Sequence, residues 1–275
     1  MKRLAYLGPP GTFSEEAALQ HDPSAELVPL PSIAAVAAAV TAGMADAGVV
    51  PVENSLEGSV PETLDVLIHE ADLFVRHELV LPIEHHLLVK PGTQPAAVKV
   101  VYSHPQALAQ CRRFLERCFP RAEVMAALST AAAVEEMMSR DGDAAAIGTA
   151  RAASLYGAEV LARGIQDRRP NVTRFMVLAR EDHPPTGRDK TSLAFTFATE
   201  DRPGLLVAAL TEFSSRQINL TKIESRPTGD RLGSYIFLVD VSGHRQEPLL
   251  AEALEAVRRQ CSFFRVLGSY PKWQP

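Results

Sequence analysis

Apolar and polar positions change rhythm along the chain. In the first part, short apolar runs alternate with stretches of helical spacing. Leu4–Leu7 reads as a strand, and Thr12–Gln20 as a helix opened by the capping-box pair Thr12 and Glu15. Ser32–Thr41 reads as an alanine-rich helix, and Ala47–Val52 is continuously apolar, as in a strand buried on both faces. Ser59 and Glu62 repeat the capping-box spacing and predict another helix. Val98–Tyr102 opens a second series. It continues into a helix entered at Ser103-His104-Pro105-Gln106, with Leu108, Cys111, Leu115 and Cys118 on one face. Ala122–Ala126, a helix after Ser129, and Ala144–Ile147 extend the alternation. Such alternation predicts an α/β architecture with largely parallel sheets.

The segment 181–189 breaks the pattern. It is polar, carries Pro184, Pro185 and Gly187, and lacks periodicity, so it reads as a linker that leaves the part ending near Arg180 as an independent unit. Beyond it, Thr191–Ala198 is a strand, Leu206, Ala209, Leu210 and Phe213 mark a helix, and Asn219–Ser225 and Ser234–Val241 are strands around a Thr228-Gly229-Asp230 turn. Leu250, Ala253, Leu254 and Val257 mark a second helix before a last strand, Phe263–Gly268. The order is βαββαβ, a ferredoxin-like layout.

The length, 275 residues, suits one large domain or two ordinary ones. A net charge of −5 with mixed signs argues against a nucleic-acid partner. Three cysteines fit a reducing compartment, lack metal-binding spacing, and predict Cys111 and Cys118 as buried small hydrophobes. The N-terminal apolar stretch is too short for a signal peptide, and no run approaches the ~20 apolar residues of a membrane span. The expectation is a cytoplasmic protein with no membrane partner.

Four segments carry candidate chemistry. Gly8–Glu15 opens the first helix, where free backbone amides favour an anion; a plain capped turn fits the same spacing. Glu53, Asn54 and Ser55 follow a buried strand directly, at the end where open α/β sheets bind ligands. Ser103-His104-Pro105-Gln106 repeats that placement, with Gln110 one turn on; His104 is given no role. In Asn171-Val172-Thr173-Arg174-Phe175, a hydroxyl sits beside a cation suited to clamping a carboxylate, unless Arg174 is simply a surface residue of an alternating strand.

GPPGTFSEEAA, VPVENSLEGSV, SHPQALAQC and NVTRF occur in the same order and at similar spacing as in prephenate dehydratases. DRPGLLVAAL, INLTKIESRPT and LGSYIFLVDV resemble the ACT domain fused to those enzymes. The resemblance implies a two-lobed catalytic domain, similar to type II periplasmic binding proteins, over 1–180. Lobe 1 would take about 1–80 and 165–180, lobe 2 about 81–164, and a ferredoxin-like ACT domain 190–275. It places catalytic roles on Thr173, Glu53, Asn54, Ser103 and Gln110, and substrate contacts on Gly11, Thr12, Phe13, Ser14, Ser55, Arg174 and Phe175. Effector contacts fall on Gly204, Leu205, Leu206, Asn219, Leu220, Glu224, Ser225, Arg226 and Pro227. Leu205 stands where the family usually has alanine, and Gln217 where a glycine is common.

The implied reaction converts prephenate to phenylpyruvate, water and carbon dioxide, with no metal or organic cofactor. Thr173 would hydrogen-bond the departing hydroxyl, with Glu53 as the alternative acid. Arg174 and helix-start amides would hold the carboxylates. Phenylalanine is the implied allosteric effector, bound between copies of a homodimer or homotetramer. Because the first motif starts at Gly8, a monofunctional enzyme is expected. The alternatives are arogenate dehydratase and a non-catalytic amino-acid or organic-acid binding protein.

Overall fold

Apolar runs become strands because they are covered on both faces, and the capped segments between them become the covering helices. The computed structural model describes residues 1–197, 203–228 and 234–274. First come β1 (Arg3–Leu7), α1 (Phe13–His21), β2 (Glu26–Leu30), α2 (Ile33–Thr41), β3 (Ala47–Asn54), β4 (Gly58–Ser59), α3 (Pro61–Asp65, winding on as a π-helix over Val66–Glu70) and β5 (Phe74–Pro82). The chain then crosses to β6 (His86–Val89), β7 (Val100–Ser103), α4 (Pro105–Gln110), α5 (Arg112–Cys118), β8 (Glu123–Ala126), α6 (Thr130–Ser139), β9 (Ala144–Gly148), α7 (Ala150–Tyr156) and β10 (Glu159–Ala162). It returns through β11 (Val172–Ala179) and ends with β12 (Asp189–Phe197), α8 (Leu205–Ser214), β13 (Leu220–Pro227), β14 (Tyr235–Ser242), α9 (Pro248–Arg258) and β15 (Cys261–Pro271).

The described residues form three sheets. The first has the order β2-β1-β3-β11-β5, with β4 on β3, and the second β10-β6-β9-β7-β8. The third, β13-β14-β12-β15, is antiparallel throughout and carries α8 and α9 on one face. The two-lobed α/β architecture and the ferredoxin-like layout are those expected. The first two sheets, however, are mixed rather than largely parallel. β11 runs antiparallel to both β3 and β5, because it re-enters the first sheet from the opposite side after the excursion through the second. In the second sheet β6 is antiparallel to β9 and β10.

Local signals mostly hold. Thr12 and Ser32 cap α1 and α2 by accepting from Glu15 N and Ala35 N. Ser59 does not cap α3. That helix starts at Pro61, whose ring sets φ and which has no N–H to satisfy. The Ser59 hydroxyl instead meets Lys222 and Glu224 on β13. The helix expected through Cys111 and Cys118 breaks at Cys111. The Asp167 carboxylate accepts from Arg113 N and Phe114 N and so starts α5 as a separate helix. The break changes the face: Cys111 is buried and Cys118 exposed. The Thr228 turn is described only at Thr228; Gly229 and Asp230, like Ala198, lie outside the described residues.

The 181–189 segment is not a free tether. Arg76 donates to the Glu181 and Asp182 carbonyls, Asp182 holds Arg245 and Ser269 N, and His183 N donates to Ser269 O. Beneath it, Val75, Met176 and Leu178 share one buried cluster with Ile236, Leu238 and Tyr270 of the third sheet. Gly268 lies on Val75 so closely that a Cβ would run into the Val75 carbonyl oxygen. The part ending near Arg180 is therefore packed into its neighbour rather than independent of it. Among the described residues no helix is long and apolar enough to cross a membrane.

At this seam the His77 ring lies 4.9 Å from His21 and 4.9 Å from His183, centroid to centroid. Burial, then the neighbouring His21, His183, Arg76 and Lys2, push His77 down from 6.5 to about 4. The unfolded chain takes this proton first as pH falls, so the neutral ring's contribution is complete above pH 6.5 and is lost between there and about 4. The urea midpoint should fall across that window, and His77→Leu should flatten the fall. An unchanged slope in the variant would remove His77 from the acid response.

Candidate active site

A cavity of about 420 Å³ opens between the two lobes. Thr12, Phe13 and Ser14 reach it from the start of α1, and Ser129 and Thr130 from the start of α6. Asn54 ends β3, Thr173 and Phe175 lie on β11, and His104, Gln106 and Gln110 come from α4 and its cap. His85 sits on the first crossing between lobes, and Leu7, Ile33, Val60, Ile83 and Leu128 supply apolar walls. Among the described residues lining the cavity there is no Lys or Arg.

Asn54 organises the floor. Its Oδ1 accepts from Leu56 N and Glu57 N at 2.9 and 3.1 Å, which turns Nδ2 toward Thr173 Oγ1 at 2.9 Å and Asn171 Oδ1 at 2.8 Å. Thr173 therefore accepts. Its own hydroxyl proton has no acceptor among the described residues and is free for the cavity. Asn171 Nδ2 donates to Gln110 Oε1 at 2.9 Å, so the network runs from one lobe to the other.

Several expected site residues are used elsewhere. Arg174 was expected on the substrate carboxylates, and Glu53 as a possible acid. Strand alternation sends each to the face opposite its cavity-facing neighbour, Thr173 and Asn54 respectively. There the Arg174 guanidinium meets Glu78 at 2.7 Å, Asp240 at 2.6 Å and the Tyr270 hydroxyl at 2.8 Å. Glu53 pairs with Lys222 at 3.1 Å. Gly11, expected to offer its amide to an anion, already donates it to Glu15 Oε2 at 2.7 Å. Its φ of 89° and its contact with Ala152 and Ala131 make it a close approach between the lobes, which only glycine suits. The Ser103 hydroxyl is buried on Ile147 O, and Ser55 Oγ accepts from Val172 N. Thr12, Phe13, Ser14, Asn54, Gln110, Thr173 and Phe175 are brought together at the cavity.

Four contributors were not singled out from the sequence. Asn171 stood in a quoted string without a role. Ser129 and Thr130 looked like an ordinary cap. His85 lies in an irregular stretch between strands, where no periodicity draws attention to it.

The expected effector residues divide. Gly204, at φ 93°, precedes Leu205 and Leu206 in the first turn of α8. Asn219 O accepts from Ser242 N, and Leu220 opens β13. Gln217 has φ 57°, the left-handed conformation that a glycine would adopt without strain. Along β13, Glu224 meets Ser59 and Arg226 meets Asp65, so both face the first lobe; Ser225 and Pro227 are exposed.

The family model for prephenate dehydratase matches residues 4–183, and that for the ACT domain residues 195–259. A bifunctional chorismate mutase/prephenate dehydratase of Stutzerimonas stutzeri is 44% identical over 98% of this chain and 73% of its own length. The crystal structure of a prephenate dehydratase from Arthrobacter aurescens in complex with L-Phe is 37% identical, with a TM-score of 0.90 over 98% of this chain and 90% of that one. A structure described as GqqA, a novel type of quorum quenching acylase, is 33% identical, with a TM-score of 0.88 over 99% of this chain and 98% of that one. With both family models matched in order across three packed sheets, the chain belongs to the prephenate dehydratase family and carries an ACT domain in its C-terminal part.

Proposed function

We propose that the inter-lobe cavity converts prephenate to phenylpyruvate, water and carbon dioxide, and that phenylalanine bound to the ACT domain restrains it. The observation that carries the chemistry is the Thr173 hydroxyl, whose proton is left free because Asn54 donates to its oxygen. As the ring C–O bond breaks, electron density grows on the departing oxygen. The electrons of the ring–carboxylate bond move into the ring, which becomes aromatic. Thr173 donates a hydrogen bond to that oxygen, which leaves as hydroxide and takes up a solvent proton to become water; the bond accepted from Asn54 polarises the hydroxyl and strengthens its donation. With no Lys or Arg among the described lining residues, the first turns of α1 and α6 hold the substrate carboxylates through free amides and the Ser14 and Thr130 hydroxyls. Phe175 and Ile83 give the ring an apolar wall. An acylase reading is not favoured: it needs a base on the nucleophile, and the Thr173 proton meets none among the described residues.

The relative solved with L-Phe supports the effector assignment. Gly204 allows close approach at the start of α8, whose first amides suit a carboxylate. A site built where two ACT domains meet makes the enzyme a homodimer or homotetramer. Absorbance of phenylpyruvate formed from prephenate tests the activity. Formation of phenylalanine from arogenate, with no turnover of prephenate, would move the assignment to arogenate dehydratase. Added phenylalanine should inhibit by roughly 5–150-fold, the usual range of allosteric coupling. Gly204→Val should lose most of that inhibition and the calorimetric binding signal while turning over prephenate normally. Unchanged inhibition in that variant would place the effector elsewhere.

A further inference from the structure

We propose that His85 is a positioning residue for this reaction: its Nε2–H helps Glu57 hold the Gln110 amide, the second-lobe end of a network that runs through Asn171 and Asn54 to the Thr173 hydroxyl. The reasoning starts from atoms that have only one possible role. Glu57 is a carboxylate and accepts, so the Gln110 atom 3.3 Å from Glu57 Oε1 is Nε2. Gln110 Oε1 then faces the other way, toward Asn171 Nδ2 at 2.9 Å and His85 Nε2 at 3.0 Å. An amide oxygen cannot donate, so His85 Nε2 carries a proton.

The His85 ring is 3% exposed, and burial lowers its affinity for a second proton. It is therefore neutral, protonated on Nε2 and bare on Nδ1. Nδ1 is the ring atom that finds no hydrogen-bond partner among the described residues. Phe13 packs edge-on against the ring at 5.7 Å, and Gln166 Oε1 accepts from the His85 backbone N–H at 3.1 Å, so the side chain and the main chain of His85 are each held.

The far end of the network is anchored in the same way. Backbone N–H groups of Leu56 and Glu57 hold Asn54 Oδ1, leaving Nδ2 for Asn171 and Thr173. Between these anchors every amide has one permitted orientation, and Thr173 must accept. The network also crosses the hinge. His85 and Asn171 lie on the two passages between lobes, Gln110 belongs to the second lobe, and Asn54 and Thr173 belong to the first. The alignment of the reacting hydroxyl thus depends on how the lobes stand to one another, and His85 acts on it through Gln110, holding the second-lobe end of the network.

The kinetic test rests on the dehydratase reading; the spectroscopic one does not. His85→Leu removes the donor and should lower kcat by roughly 10–100-fold, the range for losing a partner that orients a functional group, with KM within about twofold. His85→Gln places an amide N–H near the Nε2 position and should recover most of that loss. If the leucine variant does not fold, His85→Asn, which reaches the Nδ1 position but not Nε2, takes its place. Wild-type kcat without the donor, equal losses with and without it, or a change confined to KM would each overturn the proposal. Independently, ¹⁵N spectra of the eight histidines, with His85 assigned by its absence in His85→Gln, should show the Nε2–H tautomer at neutral pH. An Nδ1–H tautomer leaves Nε2 with no proton to donate to Gln110 Oε1 and sinks the proposal even if the protein turns over no prephenate. A wild-type protein inactive on prephenate but with the Nε2–H tautomer would instead count against the dehydratase reading and leave the hydrogen-bond assignment standing.

Discussion

Thr173→Ala is expected to lower kcat by ~10²–10³-fold, the range for deleting a preorganised donor to a developing negative charge. The fold should be nearly unaffected, and the hydrogen-bond network says why. Asn54 Nδ2 loses one acceptor but keeps Asn171 Oδ1 and, at 3.3 Å, the Val172 carbonyl, so no buried N–H is orphaned. The γ-methyl is lost as well, but the site already borders the cavity and has little packing to surrender. Thr173→Ser should return much of the rate, since the hydroxyl and its Asn54 donor survive. Turnover of prephenate, circular dichroism and a thermal midpoint read the three quantities. A near-wild-type kcat in a folded alanine variant would take Thr173 out of the chemistry.

Asp240→Leu should act in the opposite way, destabilising the protein by about 3–5 kcal/mol, the cost of removing one partner from a buried ion pair. Arg174 Nη2 donates to Tyr270 Oη, Tyr270 to Ser192 Oγ, Ser192 to Asp240 Oδ1, and Arg174 Nη1 to Asp240 Oδ2, a closed ring of bonds between 2.5 and 2.8 Å. Burial, then the Asp240 charge, hold the Tyr270 phenol well above its ordinary range, so it stays neutral and can donate. Without Asp240, the Arg174 and Lys190 cations are left to share Glu78, each within 2.8 Å of Oε2. Glu53 Oε2, 3.7 Å from Arg174, is more exposed and already paired with Lys222. Urea unfolding gives the magnitude. A loss below about 1 kcal/mol would put this network in the class of surface pairs. Asp240→Asn keeps the acceptor for Ser192 and should cost less.

How much of this was legible in the sequence depends on the range of the interactions that decide each feature. The βαββαβ tail and the helix starts at Thr12 and Ser32 were readable because a cap and a period are local. Which residues gather at the cavity was readable only in part. Thr173 and Asn54 end up there, yet Glu53 and Arg174, their immediate neighbours, do not. The phase of that alternation is set when β11 inserts between β3 and β5 and a third sheet covers the opposite face, which no spacing within β3 or β11 encodes. Ser59 carries a cap signature, but Lys222 and Glu224 compete for its hydroxyl from more than 160 positions away along the chain. The 181–189 segment has linker composition because its polar groups need partners, and those partners, Arg76, Arg245 and Ser269, are distant in sequence. His85 gave no sign, since its role comes from the polarity of amides on three other segments.

The contact between Gly268 and Val75 bears on how such a protein can be recombined. Two backbones that touch leave no slack for a side chain, and the strands around them are interlocked through a common core. The ACT domain is therefore not a cassette to be exchanged at the polar segment before it. An ACT domain grafted from a relative must bring its own glycine to this position and a matching strand in place of β5, or the graft will part along the seam. Chimeras joined within β5 and β15 together, rather than at 181–189, preserve what the two halves share.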